Sequence, residues 1–307
     1  MPLETLVAAE LAEPVDPRVA AMAEALASRY PGAARSVLFY GSCLREANLD
    51  GLMLDFYLIV SDYRAAYGSG WLAFANRHVP PNVFPFEHDG LIAKYAVLSE
   101  DDFVRLASSS TRNVSVWARF AQPSRLVWAS DERAAAQAAV AIAGAAPALL
   151  SAARPLLADQ LSVAALWEGA FALTYGAELR AERKGRASSV VGADPARYAR
   201  FTAPALAAAG LGAAIEGGIV SFADPISSAE RKAGETIWRQ RRREGKALTL
   251  VRLAKASTTY AGGIDYLAWK INRHAGAAIE IKPWQRRWPI LGALALLPRL
   301  ILRGAVR

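Results

Sequence analysis

Residues 36–62 constrain the chain more than any other stretch. Two short apolar runs, SVLFY (36–40) and DFYLIVSD (55–62), flank a Gly41-Ser42 pair and a dozen turn-like residues. Runs of this length, rich in β-branched and aromatic side chains, predict strands. A glycine directly after a strand predicts a sharp turn. LIAKYAVLS (91–99) predicts a third strand. Val19, Met22, Ala23 and Leu26 recur at helical spacing, and Pro31-Gly32 stops that helix before the first strand. WLAFANR (71–77) and DDFVRLA (101–107) predict two more helices, the second capped by Ser99. A further helix lies in RNVSVWARFAQPSRLVW and ends at Pro123, while Glu87, His88 and Asp89 read as a polar turn.

Beyond residue 130 the texture changes. The chain is alanine-rich and helical from 131 to 180, with breaks at Pro147 and Pro155. Residues 180–195 predict an exposed loop and 200–216 more helix. A basic helix at 229–243 and a last one at 247–273, interrupted near Ala261-Gly262-Gly263, complete the chain. The expected fold class is therefore α/β or α+β, a mixed-sheet domain over 1–128 followed by a mainly helical one over 129–245. Residues 246–281 form a C-terminal helical region packing near the active site, and 282–307 an amphipathic tail.

Composition narrows the function classes. Of 307 residues, 53% are hydrophobic and 21% charged, enough for a sizeable core and against global disorder. A single cysteine, Cys43, excludes an intramolecular disulfide and a cysteine-cluster metal site, and reads as a small packed hydrophobe. Three histidines, at 78, 88 and 274, argue against a histidine-rich zinc site. No run reaches the roughly 18 uninterrupted apolar residues of a membrane span, and the first thirty residues carry acids where a signal peptide has a basic leader. A reducing compartment follows, with the protein soluble or peripheral to the cytoplasmic face of a membrane.

The net charge of +8 is unevenly spread: residues 231–307 hold 17 Lys/Arg against 4 Asp/Glu. Such an end favours a polyanion, either nucleic acid or an anionic lipid surface. Trp284 and Trp288 sit beside Arg286 and Arg287, ahead of an apolar run and Arg299, Arg303 and Arg307. Tryptophan and arginine bordering a short apolar stretch is the pattern of a segment lying in a bilayer interface. A helix packed on the domain would have the same composition. Nucleic acid is the less favoured partner, because an RNA binder gains nothing from LGALALLPRLIL.

The chemistry concentrates at the first turn. Backbone N–H groups and a hydroxyl at Gly41-Ser42 suit phosphate oxygens, and Asp55 opens the neighbouring strand, where its carboxylate projects near that turn. A phosphate cradle beside a carboxylate is what a Mg²⁺-dependent nucleotide-transfer site requires. Gly-Ser after a strand is also a common plain turn. Arg45 can reach the same phosphates or lie on the surface. Arg112, Arg119 and Arg125 can recruit an anion or be helix-surface arginines. Lys255, Ser257, Thr258, Tyr260 and Lys270 surround the Ala261-Gly262-Gly263 break, which suits a phosphate or lipid headgroup and equally a plain link between helices.

YGS followed by a strand carrying hydrophobic-Asp-Phe resembles the nucleotidyltransferase fold. It resembles specifically the mitochondrial-type phosphatidate cytidylyltransferase family, the translocator-maintenance type of CDP-diacylglycerol synthase. PNVFPF (81–86), KYAVLS (94–99), VWARFAQPSRLVW (116–128) and STTYAGGIDYLAWK (257–270) carry the likeness further, collinearly over 36–128 and more weakly over 229–274. The resemblance implies CMP transfer from CTP to phosphatidic acid, giving CDP-diacylglycerol and pyrophosphate. It implies Mg²⁺ (or Mn²⁺ or Co²⁺), a winged-helix-like second domain and a membrane-associated tail. It casts Asp55 and Lys94 as catalytic, with Tyr40, Gly41, Ser42, Arg45 and Tyr95 around the nucleotide. Met53, two residues before Asp55, stands where many of the nucleotidyltransferases that this stretch resembles show the first acid of Asp-x-Asp, so the resemblance implies that a second carboxylate comes from elsewhere. Asp50, Asp62, Glu87 and Asp89 are at hand, and Asp62 and Glu87 are assigned to the metal with Asp55. A nucleotidyltransferase with another acceptor (RNA, another polar lipid or a protein hydroxyl) and a non-catalytic basic membrane adaptor stay open. A homodimer is compatible with the sequence.

Overall fold

The computed structural model describes residues 1–46, 48–178, 186–259 and 281–283. Five strands build the larger sheet: β1 (Ala34–Tyr40), β2 (Met53–Val60), β3 (Asn82–His88), β4 (Leu91–Ser99) and β5 (Ser124–Ala129). Their order is β3-β4-β2-β1-β5; β2 and β4 run parallel and the other neighbours antiparallel. The fold is a mixed-sheet, α+β arrangement with a large helical portion.

Helix Pro17–Ser28 covers one face of the sheet, and its start follows from local chemistry. Pro17 occupies the first turn, where its missing N–H costs nothing, and the Asp16 carboxylate accepts from the Arg18 N–H at 2.8 Å. Val19, Met22, Ala23 and Leu26 are buried against the inward residues of that face, Phe39, Phe56 and Tyr95 among them. The helices of the second half cover the opposite face, and there the core is continuous. Leu38, Tyr57 and Leu98 of the sheet share one cluster with Trp167, Phe171 and Phe201. The N-terminal region thus has one core of its own under helix Pro17–Ser28 and shares a second with the helical half.

Two strands differ from expectation. β3 takes in Phe84–Phe86 together with Glu87 and His88, the latter two expected in a polar turn, and Pro85 is tolerated because β3 is an edge strand paired only with β4. The residues after Pro123 form β5, the opposite edge, rather than the end of a helix, which spans only Trp117–Phe120.

A second sheet has β6 (Gln160–Ser162), β7 (Ala213–Glu216) and β8 (Ile219–Phe222) in the order β6-β8-β7, all antiparallel. Helices Val163–Tyr175 and Pro195–Ala208 lie between β6 and β7. The expected helix over 200–216 stops at Ala208. Gly217 (φ 54°) and Gly218 (φ 78°) supply the two left-handed positions of a β7–β8 hairpin turn. Residues 186–192, expected as loop, are helical. The two basic helices expected near 229–243 and from 247 are one continuous helix, Ser228–Thr259. This helix presses so closely on residue 177 that a Cβ on Gly245 would lie 2.1 Å from the Ala177 carbonyl oxygen. The alanine-rich span Glu132–Leu156 is apolar and long enough to cross a membrane by composition, yet 56% of its most apolar window is buried inside the protein.

One ion pair crosses the core. Arg197 and Glu10, 3% and 5% exposed, meet in a bidentate contact, with Nη2 donating to Oε1 at 3.0 Å and Nε to Oε2. Nη1 donates to the Ala121 carbonyl at 3.0 Å, and the guanidinium lies 4.4 Å from the Phe201 ring centroid. A buried guanidinium left without its carboxylate is far costlier than the pair. Glu10→Gln should therefore destabilise the protein by about 3–5 kcal/mol, read from urea unfolding; a loss below 1 kcal/mol would show that the pair is not carrying this junction.

Candidate active site

Register decides which side chains share a face. Asp55 pairs with Tyr40 on β1 and with Lys94 on β4; Lys94 pairs with Pro85, and Tyr40 with Ser124. Directly paired residues point to the same side. A single row, Pro85–Lys94–Asp55–Tyr40–Ser124, therefore crosses all five strands on the face shared with the helical half.

Within that row Lys94 Nζ lies 2.7 Å from Asp55 Oδ1, the two side chains being 30% and 21% exposed. Asp55 Oδ2 faces the turn: a Cβ on Gly41 would sit 3.2 Å from it. Gly41 has φ 96° and ψ −164°, a region that only glycine occupies without strain. Behind it, residues 42–45 make one 3-10 turn, with Ser42 exposed. Gly41→Ala should cost about 1–3 kcal/mol of stability and loosen whatever binds at the turn. Wild-type stability in thermal unfolding would show that the turn adopts another backbone shape.

Cations line the same face. Arg119 Nη1 donates to Tyr57 Oη at 3.0 Å, and its guanidinium lies 5.7 Å from the Tyr40 ring centroid. Burial works against its charge, but Tyr57, Tyr40, Glu178 and Asp55 outweigh that and raise its pKa. Arg252, from the long C-terminal helix, donates to Ser115 Oγ at 3.0 Å and to the Pro80 carbonyl at 2.8 Å. Lys255, one turn on, donates to the carbonyls of Pro81, at 2.8 Å, and Val79. A cavity of about 160 Å³ opens beside Arg252, lined by Glu178, Glu244, Arg112 and Arg241 among others.

The structure brings Tyr40, Gly41, Ser42, Asp55, Lys94 and Arg119 to one site and places several of the other sequence candidates elsewhere. Tyr95 follows Lys94 in an extended strand, so it points to the opposite face. There it is 3% exposed and its hydroxyl meets Tyr30 Oη at 2.8 Å; burial raises its pKa. Asp62 lies past the far end of β2, seven positions and about 20 Å from Asp55 along an extended chain. It caps the short helix Tyr63–Ala66, accepting from the N–H groups of Arg64 and Ala65. Glu87 is exposed on edge strand β3, two strands and two positions from Asp55. Neither acid can share an ion with Asp55. Asp50 pairs with Arg18 at 2.9 Å, and Asp89 lies near His88 at 3.4 Å. Arg112 faces Glu244, and Arg125 pairs with Glu13. Cys43 is buried, its thiol donating to the Met53 carbonyl. Tyr260 and Lys270 lie outside the described residues, as do the tail from 284 onward and the side chains of Arg45, Ser257 and Thr258.

Among the described residues no group of three acids, histidines or cysteines could enclose a metal. The donor set of one carboxylate beside an open turn does not fit two ions. As a donor set, one carboxylate would suit a single divalent cation with its other positions open to oxygen ligands from outside the protein. Arg252 and Glu178, which frame the site from the helical half, were not singled out from sequence. The +13 charge of the C-terminal end was the one signal toward Arg252. No protein-family model matches the chain, and no curated protein matches it significantly.

Burial, and then the Arg252 guanidinium, push the Lys255 ammonium down to about 7, against the two carbonyls that accept from it. Below pH 7 both native and unfolded chains carry this proton, and the native state bears the full penalty of a buried charge. From pH 7 towards the ordinary lysine range only the unfolded chain keeps it, so stability should rise with pH across that window. Urea unfolding between pH 6.5 and 9.5 should show this rise in the wild type and a flatter profile in Lys255→Met. Identical profiles would place the Lys255 titration outside the window.

Proposed function

We propose that the chain is a nucleotidyltransferase that moves CMP from CTP to phosphatidic acid, releasing pyrophosphate. One observation carries the reading: the Lys94–Asp55–Tyr40 row ends against the glycine turn while Arg119 covers its helical side. Anionic oxygens entering there meet backbone N–H groups at Gly41-Ser42 and two cations, with one carboxylate for a single Mg²⁺. The succession of β6, three helices and the β7–β8 hairpin supports a winged-helix-like second region, and the mixed sheet with Asp55 near the start of its central strand supports a nucleotidyltransferase core. The acceptor rests on the resemblance in YGS, PNVFPF and KYAVLS and on the basic C-terminal end.

In this reading a phosphatidate oxygen attacks the α-phosphorus of CTP, and the bond to the β-phosphate oxygen breaks. The nucleophile is already ionised near neutral pH, so no general base is required. Mg²⁺, when bound, neutralises phosphate charge. Lys94 and Arg119 add fixed positive charge where negative charge gathers, and the Gly41 turn holds the phosphates in place. A second reading, a polyphosphate- or lipid-binding adaptor without turnover, draws on one fact: the single carboxylate is already paired with Lys94.

Purified protein given Mg²⁺, labelled CTP and phosphatidic acid in detergent should deliver label to the lipid phase as CDP-diacylglycerol. Asp55→Asn should lower that turnover at least about 100-fold while the fold persists. CTP binding without lipid labelling would favour the adaptor, and full activity in folded D55N would remove Asp55 from the chemistry.

A further inference from the structure

A second cavity, of about 240 Å³, lies on the other side of Arg241 from the polar one, between helix Ala145–Ala153 and the long C-terminal helix. Its apolar walls include Ala148, Ala152, Pro155 and Ile237. Trp117 and Trp238 complete them. A cavity of this size accepts one short chain and not a pair of long acyl chains.

The polar chemistry of this wall is one-sided. Arg241 stacks on two indoles, its guanidinium carbon 4.9 Å from the Trp238 ring centroid and 5.9 Å from that of Trp117. Yet among the described residues it donates no hydrogen bond and forms no ion pair, and its Nε is buried without an acceptor. Trp117 is 1% exposed, and its Nε1–H also lacks an acceptor, whereas Trp238 Nε1 donates to the Ala152 carbonyl at 2.9 Å. Ser109, Thr111 and Ser151 add hydroxyls to the lining. The nearby carboxylate of Glu244 is engaged by Arg112, at 3.7 Å. Unsatisfied buried donors are costly, and a planar guanidinium fork matches carboxylate and phosphate oxygens. Burial first, and then repulsion from Arg112, lower the Arg241 pKa despite the opposing pull of Glu244, a cost that an anion on the guanidinium would relieve.

We infer that this cavity is a binding site for a small amphiphilic oxyanion, its short apolar body between Trp117, Trp238 and Ile237 and its carboxylate or phosphate head on Arg241. The site is distinct from the Asp55 row and does not rest on the transferase reading.

Titration calorimetry of the full chain with octanoate, octyl phosphate and octanol tests it. Both anions should bind saturably and compete with each other, with octanol at least tenfold weaker. The tighter of the two anions identifies the preferred head. Arg241→Met should weaken both anions at least tenfold and leave octanol unchanged. Ile237→Trp, at a half-exposed position, should weaken octanoate by narrowing the cavity, and Asp55→Asn should bind as wild type. Octanol binding as tightly as the anions, wild-type affinity in folded R241M or I237W, or no saturable binding of either anion would each overturn the inference.

Discussion

The pair between Glu10 and Arg197 holds the two halves of the molecule in register. Residues 187 positions apart meet in an interior where an unpaired guanidinium could not persist. The carboxylate takes two of its donors, the Ala121 carbonyl a third, and the Phe201 and Tyr198 rings cover its faces. Ala121 ends the short helix that carries Arg119. Fixing Arg197 on that carbonyl therefore fixes where Arg119 stands over the sheet. The N-terminal helix Leu3–Leu11, which carries Glu10, the helical half and the cationic side of the site are set by one buried contact.

The second constraint is electrostatic. Lys94, Arg119, Arg252 and Lys255 gather along one side of the sheet, with Asp55 and Glu178 as the nearby carboxylates. In a half-buried setting such an excess of positive charge is strained unless an anion shares it. Burial first, and then neighbouring cations, lower the pKa of Lys255 and of Arg252, whereas that of Arg119 is raised, against its burial, by Tyr57, Tyr40, Glu178 and Asp55. The C-terminal helix creates it. Its last described turns are pulled onto the carbonyls of residues 79–81 by Arg252 and Lys255, which carries basic side chains across to the sheet edge.

Three of the five strands in the main sheet were legible because β1, β2 and β4 are continuous apolar runs bounded by turn residues. β3 and β5 were not. A proline within FPFEH and another just before SRLVWA argue against central strands, and only their edge positions make them acceptable. The site was legible in part. Asp55 and Gly41 were found from strand, turn and acid. Tyr95 was placed beside the nucleotide with Lys94 by the resemblance in KYAVLS, although the two-residue period of a strand already separates neighbours onto opposite faces. Asp62 was grouped with Asp55 without allowing for the length of β2 between them.

The sequence by itself determined the local facts: a strand ending in glycine, an acid opening the next strand, a lysine in a third, and a strongly basic C-terminal end. These follow from backbone sterics and from the two-residue period, which act over a few residues. Which strands pair, and therefore that Lys94, Asp55 and Tyr40 form one row, was decided only by tertiary structure. So was the choice of Arg119, Arg252 and Arg241 from among 29 arginines. An arginine on a helix looks the same in sequence whether it faces water, a carbonyl or an empty cavity. Packing between elements more than a hundred residues apart makes the difference.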